Sequence, residues 1–172
     1  PRMPSSTTRR RLPLPRPDVL DGFVFSMNPA HLQVDRVHAW LSQEAYWALG
    51  RTRETVEKAI AGSRTMGVYR DRGDGMPGEQ VAFARAVTDG ATFAWVCDVF
   101  VDSDVRGLGV GNAMVGQLVT ALEDLGIGRV LLATRDAHEV YARLGFEPLA
   151  NPTFWMERDR RPQRFVPGTA SG

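Results

Sequence analysis

Six residues, Arg106-Gly107-Leu108-Gly109-Val110-Gly111, combine one permanent cation with three glycines at alternate positions. They stand between a β-branched, apolar run at residues 96–101 and a stretch in which Val110, Met114, Leu118, Ala121, Leu122 and Leu125 recur every three or four positions. The first pattern predicts a strand, the second a helix with one buried face. The opening amides of a helix have no intrahelical acceptor and carry the positive end of its dipole. Glycines remove the Cβ atoms that would keep a ligand off the backbone, and permit the positive φ that a cluster of amides needs. An adjacent arginine can hold phosphate oxygens bidentately. These residues therefore suit the capture of a phosphate or diphosphate. For alternate glycines alone, a tight turn with an incidental arginine fits equally well.

Two nucleotide motifs are excluded. A P-loop ends in Gly-Lys-Ser/Thr, and Gly111-Asn112-Ala113 stands here instead. A dinucleotide fingerprint places glycine where Asn112 lies and needs most of an α/β domain after it, but only 61 residues follow Gly111. The spacing Arg-x-x-Gly-x-Gly directly after a strand resembles the acyl-CoA motif of the GCN5-related N-acetyltransferases (GNAT). A second segment, Ala137-x-x-x-Tyr141-x-x-x-Gly145-Phe146, is similar to that superfamily's helix after its fifth strand. Thr134 stands where the superfamily usually has asparagine, a hydroxyl in place of an amide.

The resemblance implies acyl transfer from acetyl-CoA to a primary amine of a small molecule or protein, by direct attack in a ternary complex. It implies that Arg106 and the amides of Gly107, Leu108, Gly109, Val110, Gly111 and Asn112 hold the diphosphate. The pantetheine arm would pair like an extra strand along Val99, Phe100 and Val101, chiefly with the exposed backbone of Val99 and Val101, and Thr134 would contact it. Tyr141 would be the acid for the departing thiolate. Its other reading is packing beside Leu144 and Phe146. Asp98 is a carboxylate inside an apolar strand, so it has either a structural partner or a task; the task would be that of a base. Trp40, Tyr46, Trp47 and Arg51 are the candidates for the acceptor pocket, although such residues more often simply fill the gap between helices and sheet. A non-catalytic CoA-binding or sensing module of the same fold is the alternative function.

The elements that must position these groups follow from periodicity and turn signals. Strands are expected at residues 23–27, 66–69, 80–87, 92–101, 129–134, 146–149 and 154–157. Helices are expected at 35–45, capped by Asp35, at 52–62 opened by Thr52, at 110–126, and at 136–144 with Asp136 and Glu139 as a capping pair. Asp89-Gly90 predicts a hairpin that makes the fourth strand antiparallel to the third. The fifth strand is reached through a helix and should run parallel to the fourth. The order resembles the GNAT fold over residues 23–157: α/β, a mixed and mostly antiparallel sheet, strands four and five parallel and splayed, helices on both faces. A bulge is one way to splay them.

Composition sets the outer bounds. At 172 residues and 43% hydrophobic the chain can bury a substantial core. Cys97 is the single cysteine and His31 and His138 lack ligand spacing, so no disulfide framework or metal site is expected. With no apolar run long enough to cross a bilayer and no signal segment, the expectation is a cytoplasmic protein, monomeric or homodimeric, without a membrane partner. The net charge of +1 hides +5 in residues 1–17 and +3 in residues 158–164, which leaves −7 in the middle. The ends read as basic tails (1–17 and 158–172) around one domain (18–157), solvated rather than bound to nucleic acid.

Overall fold

The computed structural model describes residues 20–160; the expected basic ends, 1–17 and most of 158–172, lie outside the described residues. Five strands form one sheet in the order of the chain: β1 (Phe23–Ser26), β2 (Arg64–Asp71), β3 (Pro77–Thr88), β4 (Ala94–Val101) and β5 (Val130–Leu132). The first four pair antiparallel and β4 pairs with β5 parallel. Helices α1 (Val34–Ala39) and α2 (Arg53–Ala61) cover one face, α3 (Val110–Glu123) covers the other, and short α4 (His138–Ala142) follows β5.

Alternation along β3 explains the layers. Ala82, Ala84 and Ala86 face α3, where their small side chains admit Met114, Leu118 and Leu122. Phe83 faces the other way, onto Val37, Trp40, Leu41 and Val56 beneath α1 and α2. Burying Trp40 against Phe100, ring centroids 5.3 Å apart and nearly parallel, fastens α1 to β4. Helix α1 continues through a π-helical turn, Trp40–Glu44, before the chain turns outward at Ala45.

Several expectations need revision. Helix α1 starts at Val34 with no side-chain cap, so Asp35 lies within its first turn rather than capping it. Asp136 does not cap α4 either; the Thr134 hydroxyl accepts from the Ala137 amide, while Asp136 pairs with Arg135. The Asp89-Gly90 turn widens into a loop in which Asp89 accepts from the Ala91 and Thr92 amides. Strands are absent at 146–149 and 154–157. Pro148 and Pro152 remove backbone donors there, and Pro152 opens a single turn of 3-10 helix instead. This segment folds back so that the Arg129 guanidinium lies 5.1 Å from the Trp155 ring, beside a groove of about 430 Å³ at the start of β5.

Gly67 is required by a close approach. A Cβ there would stand 2.3 Å from Tyr69 Oη, and Tyr69 is fully buried with no room to move. The Tyr69 hydroxyl has no hydrogen-bond partner, and burial pushes its pKa up to about 12. Gly67→Ala should therefore cost about 1–3 kcal/mol by overpacking. Tyr69→Phe should instead stabilise the fold by roughly 1 kcal/mol, because it removes an unsatisfied polar group. Urea unfolding of the two variants checks both signs.

Candidate active site

Strand β4 pairs with β5 only at Ala94, Trp95 and Val96, opposite Val130, Leu131 and Leu132. It then runs on to Val101 without a neighbour on that side. The cause lies on its other edge. Phe83 faces Phe100 and Arg85 faces Cys97, so Ala84 alone stands opposite both Asp98 and Val99. The extra residue is a β-bulge, with Asp98 at φ +51°, and a bulge bends its strand. It also shifts the alternation. Ala94 and Val96 face α3 before it, Val99 and Val101 after it, which puts Asp98 and Phe100 on the α1/α2 side.

The bulge makes a wedge between β4 and β5. Backbone direction alternates along a strand, and the Asp102 amide donates to Val81 O on the β3 side. Phe100 therefore also turns its backbone to β3, while Val99 and Val101 turn theirs to the open edge. Phe100 is thus removed from the expected pantetheine contacts; its buried ring is the floor under Arg106, whose guanidinium lies 5.6 Å from it. Arg106 Nε donates to Val101 O at 3.0 Å, so this side chain lies along the end of β4.

The glycine-rich turn completes one side of the wedge. Gly107 and Gly109 have φ of +80° and +82°, and Gly109 precedes the first turn of α3. The amides of Gly107, Gly109, Val110, Gly111 and Asn112 have no protein acceptor among the described residues, whereas the Leu108 amide is taken by Val105 O. A Cβ on Gly111 would press to 3.2 Å from Val101 Cγ2, so the helix start packs directly on the end of β4. Asn112 Oδ1 is buried without a partner at the same place. These open amides and this arginine fit an anionic ligand such as a diphosphate.

Asp98 is the hub of the opposite side. Its Oδ2 accepts from Arg51 Nη1 at 2.6 Å and from Arg85 Nε at 2.7 Å, and its Oδ1 accepts from the Trp47 indole at 3.1 Å. Burial pushes the carboxyl pKa up, but Arg85 and Arg51 outweigh it and hold the group below the usual carboxylate range. The structural partner left open by the sequence is therefore present, and direct proton abstraction lacks the raised pKa it would need. Arg85, with Nη1 on Ser63 Oγ, was missed in the sequence. Its signal was available: an arginine between Ala84 and Ala86 in a buried strand demands a carboxylate.

The loop 45–51 spans the wedge. His38 hydrogen-bonds Arg51 O, and the amides of Gly50 and Arg51 bond back to Ser42 and Ala48. Tyr46 and Trp47 are exposed and meet edge to face, with the Arg135 guanidinium 3.9 Å from the Tyr46 ring. Burial, and secondarily Tyr46, push the Tyr141 phenol pKa up, so the two tyrosines are neighbours. Tyr141 also meets Phe146 edge to face at 5.8 Å. Of the four expected pocket residues, Tyr46, Trp47 and Arg51 gather here. Trp40 does not; 4% exposed and stacked on Phe100, it belongs to the core. Thr134 is committed to the α4 amide. No group of three potential metal ligands occurs among the described residues.

Comparison with known proteins agrees with this geometry. The model of the acetyltransferase (GNAT) family matches residues 34–146. A Gibberella zeae protein named as an acetyltransferase is 32% identical over 70% of this chain and 76% of its own length. Serotonin N-acetyltransferase 2, chloroplastic, of rice (Oryza sativa subsp. japonica) is 35% identical over 56% of this chain, which spans 48% of the rice protein. The crystal structure of a Xanthomonas campestris protein, described as a GNAT acetyltransferase, shares 37% identity and superimposes with a TM-score of 0.71 over 87% of this chain and 97% of that one.

Proposed function

Because the chain belongs to the acetyltransferase (GNAT) family, we propose that it transfers acetyl from acetyl-CoA to the primary amine of a small molecule or protein by direct attack in a ternary complex. One observation carries this reading: β4 parts from β5 immediately beside an amide-lined helix entrance. The diphosphate sits on the amides of Gly107 and Gly109 to Asn112, with Arg106 swung over from Val101 O. The pantetheine amides pair with Val99 and Val101. The amine nitrogen attacks the thioester carbonyl; a C–N bond forms, the C–S bond breaks and its electron pair goes to sulfur. An open-edge amide of β4 stabilises the carbonyl oxygen as it gains charge. Tyr141, kept protonated by burial, gives its proton to the leaving thiolate, and the proton released by the attacking nitrogen as it becomes an amide restores the phenol.

Deprotonation of the acceptor needs no raised carboxylate. Arg51 and Arg85 outnumber Asp98, and nearby cations disfavour an ammonium relative to the free amine. Asp98 then acts by holding Arg51 and Trp47 in place.

The reading is tested by mixing the protein with acetyl-CoA and a panel of primary amines and following thiol release. Tight CoA binding with no turnover on any amine would favour a non-catalytic CoA module. Arg106→Ala should raise the KM for acetyl-CoA roughly ten- to a hundredfold, the worth of a charge-assisted phosphate contact, with kcat nearly unchanged. A reduced kcat at unchanged KM would mean that Arg106 grips the reacting end instead.

A further inference from the structure

We infer that the acceptor is a small amine bearing a carboxylate within a few bonds of its nitrogen, such as an α-amino acid, and that Arg51 and Arg85 hold that carboxylate. This rests on the acyl-transfer reading above and specifies its second substrate.

The floor beside the bulge carries two guanidinium groups and one carboxylate. The side chains of Arg51, Arg85 and Asp98 are 21%, 14% and 3% exposed. Arg51, Arg85 and Trp47 take both sites on Oδ2 and one on Oδ1, about three of the four a carboxylate offers. It has little left for an incoming ammonium. The arginines keep spare donors. Arg51 uses only Nη1, and Arg85 uses Nε and Nη1. Arg51 Nε and Nη2 and Arg85 Nη2 have no protein partner among the described residues, and none is sealed from solvent. They belong to the two guanidinium groups that bind Asp98 at the bulge.

Charge points the same way. Cys97 lies beside this cluster, and among the described residues Arg85, Asp98 and Arg51 are the charges felt at its thiol. The local balance is one positive charge facing the cleft. A dicationic polyamine meets repulsion there; a carboxylate meets a planar fork of unused N–H donors. The exposed Tyr46 and Trp47 rings form the wall beside it, which suits an apolar or aromatic body on the same molecule.

The test uses matched amines that differ only by a carboxylate: tryptophan and tryptamine, phenylalanine and phenethylamine, leucine and isopentylamine, ornithine and putrescine. Each is titrated calorimetrically into the protein saturated with CoA, and each is assayed for thiol release from acetyl-CoA. At least one pair should show the carboxylate-bearing member binding about ten- to a hundredfold tighter. Arg51→Gln should cut that ratio by about tenfold, with CoA affinity unchanged. Equal or tighter binding by the decarboxylated partners, or no binding by any carboxylate-bearing amine, overturns the inference. So does an undiminished ratio in Arg51→Gln; should that variant fail to fold, the wild-type ratios decide alone. Preferential binding of the amino acids with no acetylation would sink the acyl-transfer reading and leave the carboxylate site standing.

Discussion

Tyr141→Phe should lower kcat by about a hundredfold while leaving CoA affinity almost untouched. Removing a general acid costs roughly 10²–10⁴ in rate, and the low end applies here. Burial, with help from Tyr46, raises a phenol whose pKa is ordinarily near 10. The group is therefore always protonated at neutral pH but gives little driving force for transfer to a thiolate. A packing role predicts something different. The edge-to-face contact of Tyr141 with Phe146 needs only the ring, which phenylalanine keeps. Steady-state kinetics with a fixed amine, beside calorimetric titration of CoA, separates the two: an unchanged kcat assigns Tyr141 to packing, and equal losses of kcat and CoA affinity make it structural.

Asp98→Ala should destabilise the fold by about 3–5 kcal/mol, the cost of stranding a buried charge when its partner is removed. Two guanidinium groups would lose their carboxylate at once, and Ala would inherit a φ of +51° that it tolerates poorly. At roughly 2–4 °C per kcal/mol for a chain of this size, the melting temperature should fall by about 6–20 °C. Asp98→Asn keeps the shape and tolerates the backbone, so it should cost less. The pH dependence has a definite sign. The folded pKa of Asp98 lies below its unfolded value, so the unfolded chain binds more protons in the window between them. Its contribution is complete above the ordinary carboxylate pKa of about 3.9 and is lost as the pH falls through the lower folded value. Urea unfolding from pH 7 down to pH 3 should show this loss in the wild type and a shallower acid limb in Asp98→Asn. Identical limbs would mean that the two arginines do not bias the carboxyl.

The loop at 45–51 is held by this cluster as well as by its own hydrogen bonds. Arg51 and Trp47 reach Asp98 from 47 and 51 residues away along the chain. A destabilised cluster would free the loop first, so weakened acceptor binding in Asp98→Asn at normal CoA affinity is the kinetic counterpart of the stability effect.

What the amino-acid order alone determined is local or nearly so. A glycine-spaced turn after a strand and before a helix creates unpaired amides whatever the rest of the chain does, so Arg106, Gly107 and Gly109 to Asn112 could be picked out as a candidate phosphate site from their neighbours, while only the fold showed the Leu108 amide taken by Val105 O. Thr52 caps α2 on its own terms, its hydroxyl accepting from the Thr55 amide. Alternation and periodicity likewise gave the four antiparallel strands and α3. The tertiary structure decided everything that needed a partner distant in sequence. Trp40 and Trp47 lie seven residues apart, yet one packs on Phe100 and the other opens on the wedge, because only the docking of α1 chooses which face is buried. Pro148 and Pro152 had to be weighed against apolar neighbours, and the short edge of β5 left no ladder to favour a strand. Asp98 was visible as an anomaly, but whether it worked as a base or as an anchor depended on Arg85 one strand away and Arg51 across the cleft. A buried charge takes its character from what surrounds it, and those surroundings exist only once the chain has folded.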